Sequence, residues 1–270
     1  WRIRAVAGRR ARSLARTLGP GVSAHRQAAH AVIRGDAVLL ALPQEALAEL
    51  AASLPDKAVG RRIFLHTCGG APDDALDPLR AAGAATGRLH PLYPFTGRDE
   101  DAKGLRGASF AVSGSARAVA LGARLTRSLG GKLLRLPPGG ETAYHLSAVL
   151  ASNLVVALAA EAARLGPHWG QTPADALEAL LPLLRAAVDQ LQHRGLPGAL
   201  TGPLVRAESG TVRTQLELLR RTGHRDLAEI YRLLSRTGVD LALQGGHLDA
   251  RQGRALKRLL GAHKSSRKSD

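Results

Sequence analysis

The sequence is poor in cysteine, methionine and aromatic residues. Among its 270 residues there is one cysteine, Cys68, no methionine, and an aromatic content of only 3%. A single cysteine excludes an internal disulfide and gives no argument for an oxidising compartment. No uninterrupted apolar run approaches the roughly 20 residues that cross a bilayer. These absences predict a soluble cytoplasmic protein with no membrane partner.

Acidic residues and lysine are also scarce. The formal net charge is +16, yet only six of the 38 basic residues are lysines. The abundance of Arg, Ala, Gly and Leu indicates compositional drift, and few aromatic side chains are present to stack on bases, so nucleic acid is not the expected main partner. Electrostatic association of nucleic acid with residues 2–34, which carry eight arginines and no acid, stays open as a weaker alternative.

Short strand-like runs alternate with helical stretches over the first half of the chain. This alternation predicts a parallel sheet with crossover helices, and the apolar character of the runs indicates strands buried on both faces. The predicted strands are residues 3–7, 37–42, 62–66, 84–89, 109–112 and 132–136. The predicted helices between them are residues 11–18, 44–54, 75–82 and 116–129.

The pattern changes after the Pro-Pro-Gly-Gly segment at residues 137–140. Beyond it apolar residues recur at helical spacing, which predicts helices over residues 141–165, 173–192, 211–221 and 226–243. We therefore predict an α/β domain at residues 1–137, an all-helical domain at 138–246 and a basic tail at 247–270. From residue 251 onwards we expect a frayed, solvated end.

The first predicted strand is followed by polar and cationic side chains. Arg9 and Arg10 stand at its end and Ser13 lies at the start of the next helix, with no acidic residue before Asp36. At this place in a dinucleotide-binding fold, arginine accommodates the 2′-phosphate of NADP, whereas a carboxylate favours NAD. The same residues are equally consistent with solvated arginines in an arginine-rich protein.

Candidate site residues also follow the next three strands. Leu42 and Pro43 end one strand, Thr67 follows the next, and His90 follows the third. Ligands of doubly wound sheets lie outside the carboxyl ends of the strands, so these positions point to one crevice. Taken singly, His90 or His66 is more simply a capping histidine, and Cys68 lacks an activating partner.

The apolar helix predicted from Glu141 contains polar side chains, among them His145 and Asn153. They are two turns apart, a rise of about 12 Å, so they could flank a small substrate or a nicotinamide ring with His145 as proton donor or acceptor. Polar packing between two domains is the alternative. Thr201 lies in a Thr-Gly-Pro turn that carries no chemistry of its own.

Six segments together resemble a bacterial family of Rossmann-like oxidoreductases whose second half is the domain of unknown function 2520. In chain order they are DAVLLALP, FLHTCGG, LHPLYPFTG, YHLSAVLASNLVVAL, LLPLLRAAVDQL and ALTGPLVRAESGTVRTQLELL. The family is distantly similar to ketopantoate reductase, pyrroline-carboxylate reductase and prephenate dehydrogenase. The resemblance implies an NADP-binding domain followed by a helical domain that often dimerises.

The resemblance also implies positions for the cofactor and the substrate. NADP would lie across Arg9, Arg10, Leu42, Pro43 and Thr67. The side chains facing the crevice would be His90, His145, Asn153 and Thr201.

The sequence departs from the family in two respects. The first strand and its G-x-G-x-x-G turn are not in this sequence, so the expected fold is a doubly wound α/β sheet lacking its first strand. Either the sequence is a fragment whose upstream residues are lost, or the protein cannot bind a dinucleotide in the usual manner. Related dehydrogenases place a lysine four residues before the helical Asn, where this chain has Val149. A lysine proton relay at that position is therefore excluded.

The expected function is an NADP-dependent oxidoreductase that transfers hydride between nicotinamide and a small carbonyl or imine compound. His145 is the expected acid or base, and Asn153 and Thr201 are expected to orient the substrate. Because the phosphate-binding turn is not in the sequence, a non-catalytic ligand-binding or dimeric scaffold protein is the alternative. No metal is expected.

Overall fold

The computed structural model describes residues 1–72, 74–98 and 100–261. The chain divides into two compact units, Trp1–Val155 and Val156–Asp270. The boundary lies some 18 residues after the predicted one at residue 137, because the first helix of the predicted helical domain belongs with the sheet. A histidine of that helix contacts a loop at the end of a strand.

The first unit contains a two-stranded and a five-stranded sheet. The strands are β1 (Ala5–Ala7), β2 (Ser23–His25), β3 (Ala37–Leu40), β4 (Ile63–His66), β5 (Ala85–Pro91), β6 (Ser109–Gly114) and β7 (Lys132–Arg135). Strands β1 and β2 pair in parallel, and the larger sheet has the order β3-β4-β5-β6-β7. All six predicted strands are present, whereas β2 was not predicted.

The larger sheet is mixed rather than wholly parallel as predicted. Strands β3, β4 and β5 run in parallel, but β6 is antiparallel to β5, and β7 is parallel to β6. Two neighbouring parallel strands need a crossover connection between them, usually a helix. The chain between β5 and β6 makes no such crossover and returns antiparallel beside β5, where the Leu92 amide donates to the Ser109 carbonyl at 2.7 Å.

Helices cover both faces of the larger sheet. The helices of the first part of the chain are α1 (Ala11–Leu18), α2 (Ala28–Val32), α3 (Gln44–Ser53), α4 (Asp56–Val59), α5 (Asp77–Ala81), α6 (Asp101–Gly104) and α7 (Ala116–Ser128). Residues alternate between the faces along each strand, so Phe64 packs in a core with Leu47 and Leu79, while Leu65 packs with Ala118 and Leu121. This alternation leaves polar residues of β4 and β5 on the same face as Phe64.

The remaining helices are α8 (Glu141–Ala151), α9 (Asn153–Ala163), α10 (Pro173–Ala199), α11 (Ser209–Arg221), α12 (Arg225–Gln244) and α13 (Ala250–Leu259), with a short 3₁₀ helix at Gly166–Trp169. The predicted helix over residues 141–165 is broken at Ser152, where φ is −128° and ψ is −79°. His145 and Asn153 therefore lie on different helices, so the prediction that one helix carries both residues is wrong.

The prediction of a solvated tail from residue 251 is wrong for the part that the structure describes. Helix α13 begins with a capping box formed by Asp249 and Gln252. Leu256 and Leu260 are fully buried and pack against Val212 and Val239. Their spacing of four residues places them on one face of the helix, which explains how a strongly basic segment can contribute to a core. Residues 262–270 lie outside the described residues.

The segment Glu141–Ala163, which spans α8 and α9, is largely exposed. An 18-residue stretch within it has a mean hydropathy of 1.8, which is sufficient for a membrane span by length and composition, and only 6% of that stretch is buried. The segment is apolar on average although polar residues interrupt it, so it contains no uninterrupted apolar run. Its exposed apolar residues include Leu146, Leu150 and Val156, at 56%, 54% and 71% exposure.

Candidate active site

The carboxyl ends of β3, β4 and β5 meet at one edge of the sheet. Strand β4 ends at His66 and continues into the loop formed by Thr67, Cys68, Gly69 and Gly70, while β5 reaches His90 near its own end. Ligands of parallel sheets bind at this edge. The loop at residues 67–70 and the end of β5 therefore form the floor of the candidate site.

Two of the predicted catalytic residues, His90 and His145, come together at this edge. Their ring centroids are 6.4 Å apart and the rings are nearly perpendicular. A hydrogen bond of 2.8 Å joins Nδ1 of His90 to the hydroxyl of Tyr144, the residue before His145 on α8. The first turns of α8 therefore bring two ring side chains onto the end of β5. We call His90 and His145 the histidine pair.

Glycine is required in the loop beneath the histidine pair. A Cβ at Gly69 would lie 2.6 Å from Nδ1 of His145 and 2.8 Å from Cε1 of His90. A Cβ at Gly70 would lie 2.9 Å from the His145 ring. Real Cβ atoms do not approach other atoms so closely, so the two glycines allow the backbone to lie directly against both imidazoles.

Arg88 holds this loop from within the sheet. Its side chain is 2% exposed, and its guanidinium donates to the carbonyls of Gly69 at 2.5 Å and Ala71 at 2.7 Å. Hydrogen bonds from a charged donor are among the stronger ones in proteins. Arg88 therefore determines the position of the glycines against which the histidine pair rests.

Burial keeps the side chains around the histidine pair neutral near pH 7. Desolvation, reinforced by the nearby His145 and Arg88, lowers the pKa of His90 to about 4. Burial raises the pKa of Tyr144 to about 12, although Arg88 opposes this change. His90 and Tyr144 thus meet as an uncharged imidazole and an uncharged phenol. His145 keeps a buried Nδ1 without a hydrogen-bond partner among the described residues.

The predicted cofactor residues Leu42, Pro43 and Thr67 lie at the ends of the adjacent strands β3 and β4. The Thr67 amide donates to the Leu40 carbonyl at 3.1 Å, and the Cys68 thiol donates to the Leu42 carbonyl at 3.0 Å. Burial raises the pKa of the Cys68 thiol, so it is not activated as a nucleophile, in agreement with expectation. These contacts place the end of β3 beside the loop at residues 67–70.

Arg9, Arg10 and Ser13 lie in the part of the first unit that contains the two-stranded sheet. Arg9 and Arg10 form a turn between β1 and α1, and all three side chains are exposed. Across residues 1–72, 74–98 and 100–261, neither arginine side chain makes an ion pair or a hydrogen bond. The structure leaves both guanidinium groups accessible to an anion, and their role in binding NADP stays a prediction.

Asn153 makes no hydrogen bond to the histidine pair among the described residues. Asn153 is exposed at the start of α9, beyond the break at Ser152, and makes no hydrogen bond within the described parts of the chain. Thr201 belongs to the second unit, in the segment between α10 and α11, and is also exposed. Their roles in orienting substrate stay predictions.

Sequence reasoning missed Arg88 and Tyr144 as parts of the site. An arginine within a strand predicted to be buried was a usable signal for Arg88, since such a residue must have partners. Tyr144 stood beside His145 in the sequence, but its contact with His90 joins residues 54 positions apart. No local pattern reveals such a contact.

The histidines of this edge give the folded protein a defined pH dependence. Burial, with Arg88 and His90 nearby, lowers the pKa of His66 to about 4, and that of His90 is also about 4, against an ordinary value of 6.5. Between these pH values the unfolded chain binds more protons than the folded one. The free energy of unfolding is therefore expected to fall as the pH drops from 6.5 towards 4.

Urea denaturation at a series of pH values measures this dependence. His90→Gln is expected to flatten it, whereas His193→Gln, at an exposed position on α10, should leave it as in the parent protein. Comparison of the two variants subtracts the titration of the carboxylates. A profile for His90→Gln as steep as the parent profile would contradict the assignment.

The comparisons with known proteins agree with this architecture. Residues 108–237, just under half of the chain, match the family model described as "Domain of unknown function (DUF2520)", which confirms the resemblance drawn from the sequence motifs. No curated protein matches the chain significantly.

Three solved structures illustrate the similarity of fold. Protein TM1727 from Thermotoga maritima is 22% identical with a TM-score of 0.69, covering 88% of this chain and 90% of that one. The 1-pyrroline-5-carboxylate reductase of Streptococcus pyogenes is 16% identical with a TM-score of 0.56, covering 94% and 88%. The reductive aminase of Aspergillus terreus in complex with NADPH and ethyl levulinate is 17% identical with a TM-score of 0.57, covering 95% and 83%. These similarities confirm the expected Rossmann-like fold class with a helical second part.

Proposed function

We propose that this chain, which carries a DUF2520 domain at residues 108–237, is an NADP-dependent oxidoreductase acting on a small carbonyl or imine compound. The observation that carries the proposal is the histidine pair on the Gly69–Gly70 loop, at the sheet edge where doubly wound folds bind their ligands. Solved structures of similar fold include reductases, one of them in complex with NADPH. We place the enzyme in the cytoplasm as a soluble protein.

His145 is the proposed acid or base of the reaction. Its Nδ1 is buried without a protein partner among the described residues, and its ring lies on the loop at the carboxyl end of β4. Tyr144 orients His90 through the 2.8 Å hydrogen bond. Asn153 and Thr201 are proposed to orient the substrate. An imidazole can donate or accept the proton that reduction of a carbonyl or imine requires near pH 7.

The residues of this chain fit NADP in part. Arg9, Arg10 and Ser13 offer two exposed guanidiniums and a hydroxyl for the 2′-phosphate. Leu42, Pro43 and Thr67 provide strand ends of the kind on which a dinucleotide lies. The glycine-rich turn that holds the pyrophosphate has no counterpart in the sequence. When bound, NADPH would supply the hydride, and the protein groups would bind it, orient the substrate and move the proton.

Titration of the protein with NADPH and NADH, followed by nucleotide fluorescence, tests the cofactor assignment. Replacing Arg9 and Arg10 together by alanine is expected to weaken NADPH binding at least about tenfold, because two charge-assisted hydrogen bonds to the 2′-phosphate are lost. NADH affinity should change little. The matched control replaces two other exposed arginines of the same region, Arg2 and Arg4. Failure of the parent protein to bind NADPH, or an equal loss for both nucleotides, would remove the assignment.

We also propose that the protein is a homodimer that covers the apolar surface of the segment Glu141–Ala163. Leu146, Leu150 and Leu154 are between 48% and 56% exposed in the single chain, and exposed apolar side chains of this kind are typical of an interface. A second copy offers the same apolar surface, so it is a chemically matched partner.

Light scattering after size-exclusion chromatography is expected to show a dimer of the 28.3 kDa chain. Leu150→Glu should shift the protein to a monomer, because it would bury a charge without a partner at the interface. Leu14→Glu, at a comparably exposed position on α1, should leave the dimer intact. A monomeric parent protein would contradict the dimer. If that monomer also bound to vesicles of neutral lipid, the segment Glu141–Ala163 would contact a membrane instead.

A further inference from the structure

Two histidines of the second unit bring their ring nitrogens together. His168 lies in the 3₁₀ helix Gly166–Trp169, and His224 is the residue before α12. Their Nε2 atoms are 3.3 Å apart, and the rings are perpendicular with centroids 5.5 Å apart. We call these two residues the surface pair, because His168 is exposed and His224 is half-buried. Neither was assigned a role above in binding NADP, in the reaction or in the dimer.

Backbone hydrogen bonds hold both members of the surface pair in place. The His168 amide donates to the Leu165 carbonyl at 3.0 Å, and the His224 amide donates to the Leu219 carbonyl at 2.9 Å. The two imidazoles thus come from hydrogen-bonded segments that are 56 positions apart in the chain. A ligand between the rings would not have to order a loop first, which lowers the cost of binding it.

The distance between the two Nε2 atoms is that of neighbouring ligand atoms in a tetrahedral zinc site. Imidazole nitrogens bind Zn²⁺ at about 2.0–2.1 Å. With bonds of this length, two ligand atoms lie about 3.3–3.4 Å apart in a tetrahedron, whereas neighbours in a square-planar site lie only about 2.8–3.0 Å apart. The observed separation of 3.3 Å therefore fits the tetrahedral arrangement that Zn²⁺ adopts in proteins.

Without a metal, one ring of the surface pair can donate its Nε2–H to the Nε2 lone pair of the other. The 3.3 Å separation is at the long end for a hydrogen bond with an N–H donor, which usually measures about 2.7–3.2 Å. Metal binding requires the donor ring to carry its proton on Nδ1 instead, and both rings then stay neutral. Zn²⁺ can therefore replace the shared proton without a change in the backbone.

The surroundings of the surface pair determine which cations it can hold. His224 is followed by Arg225 and Asp226, which are both exposed, and the positive end of the α12 dipole lies there. The described residues contain no group of three or more metal-binding side chains, so the pair supplies two ligands only. Mg²⁺ and Ca²⁺ require several oxygen ligands, whereas Zn²⁺ binds imidazole. Because Arg225 and the helix dipole oppose a cation, we expect binding at micromolar rather than nanomolar concentrations.

We propose that the surface pair binds Zn²⁺ through Nε2 of His168 and Nε2 of His224, with water in the two remaining tetrahedral positions. The ion links the segment before α10 to the beginning of α12, two parts of the second unit that are distant in the sequence. A ligand that binds only the folded chain stabilises it, so Zn²⁺ should also stabilise this protein. The proposal does not depend on NADP binding.

Calorimetric titration of the full chain with zinc chloride, and with magnesium chloride for comparison, tests the proposal. We expect saturable binding of Zn²⁺ at micromolar concentrations and no binding of Mg²⁺ in the same range. Histidine ring signals in ¹H–¹³C NMR spectra locate the ion, and the signals of His168 and His224 are assigned by comparison with the two variants described next. Both sets of signals should change together as Zn²⁺ is added.

His168→Gln and His224→Gln each remove one of the two ligands and should each weaken Zn²⁺ binding at least about tenfold. The double variant should bind no more weakly than either single variant, because the first substitution already removes the chelate. His193→Gln, at an exposed position on α10, is the matched control and should bind Zn²⁺ as the parent does. Thermal unfolding without metal confirms that each variant is folded.

Three results would each overturn the proposal: no saturable Zn²⁺ binding by the folded parent protein, unchanged binding in either single variant, or an equal loss in His193→Gln. Losses that add in the double variant would also overturn it, because they would mean two independent weak sites. Saturable Zn²⁺ binding that either single substitution removes and His193→Gln preserves would establish it. Because no nucleotide is present in these titrations, their outcome is separate from that of the NADPH experiment.

Discussion

Replacing Arg88 by methionine is expected to lower the free energy of unfolding by about 2–5 kcal/mol. The guanidinium is 2% exposed and donates to the buried carbonyls of Gly69 and Ala71. Methionine fills much of the same volume but donates nothing, and each carbonyl left without a donor costs about 1–3 kcal/mol. Arg88→Lys should lie between the two, because an ammonium group lacks the planar fork that reaches both carbonyls.

Urea denaturation measures this effect, with Arg117→Met as the control. Arg117 also donates to a backbone carbonyl, that of Arg61 at 2.9 Å, but its side chain is exposed. Loss of such a surface contact is expected to change stability by less than about 1 kcal/mol. Equal effects of the two substitutions would mean that Arg88 does not hold the loop at residues 67–70.

His145→Gln is expected to lower the turnover of NADPH-dependent reduction by about 10²–10⁴-fold. This is the usual contribution of a positioned acid or base. Glutamine can still donate and accept hydrogen bonds at this position, but it cannot transfer a proton near pH 7. The assay follows NADPH absorbance with a panel of small carbonyl and imine compounds, and the effect should appear in kcat more than in KM.

Two further measurements distinguish catalysis from a structural effect. NADPH affinity should be the same for His145→Gln and the parent protein, and His30→Gln, at an exposed position on α2, should keep full turnover. Full turnover by the variant would assign the proton transfer to another group.

Much of the first unit was predictable because its segments carry local signals. The helix predicted at residues 11–18 matches α1, and the strands predicted at residues 37–42 and 62–66 match β3 and β4 within two residues. Apolar periodicity determines these elements over a few neighbouring residues. Strand β2, with the sequence Ser-Ala-His, lacks such a pattern and forms because it pairs with β1.

Where prediction failed, distant contacts decided the outcome. The antiparallel direction of β6 depends on the path of the long connection from β5, and strand sequences do not encode direction. The sequence of helix α13 predicts a basic tail, but Leu256 and Leu260 are buried because they pack against residues of α11 and α12. The break at Ser152 lies in a segment whose apolar residues continue on both sides.

For the candidate site, single residues were predictable from the sequence, whereas the contacts between them were not. Strand-end logic identified His90 and helix composition identified His145, each as one residue among several candidates. Their meeting, the hydrogen bond to Tyr144 and the support from Arg88 all join residues that are 17 to 55 positions apart.

By itself, the amino-acid sequence determined the alternation of strands and helices, the helical second half and the strand ends at which a ligand could bind, since periodicity and turn residues act over short distances. Only the tertiary structure decided which side chains share an environment. It placed one imidazole from a strand and another from a helix on two glycines, and it removed a third imidazole from water. Desolvation and close approach arise only when segments far apart in the chain are packed together, and these two effects set the charge states on which the proposed chemistry depends.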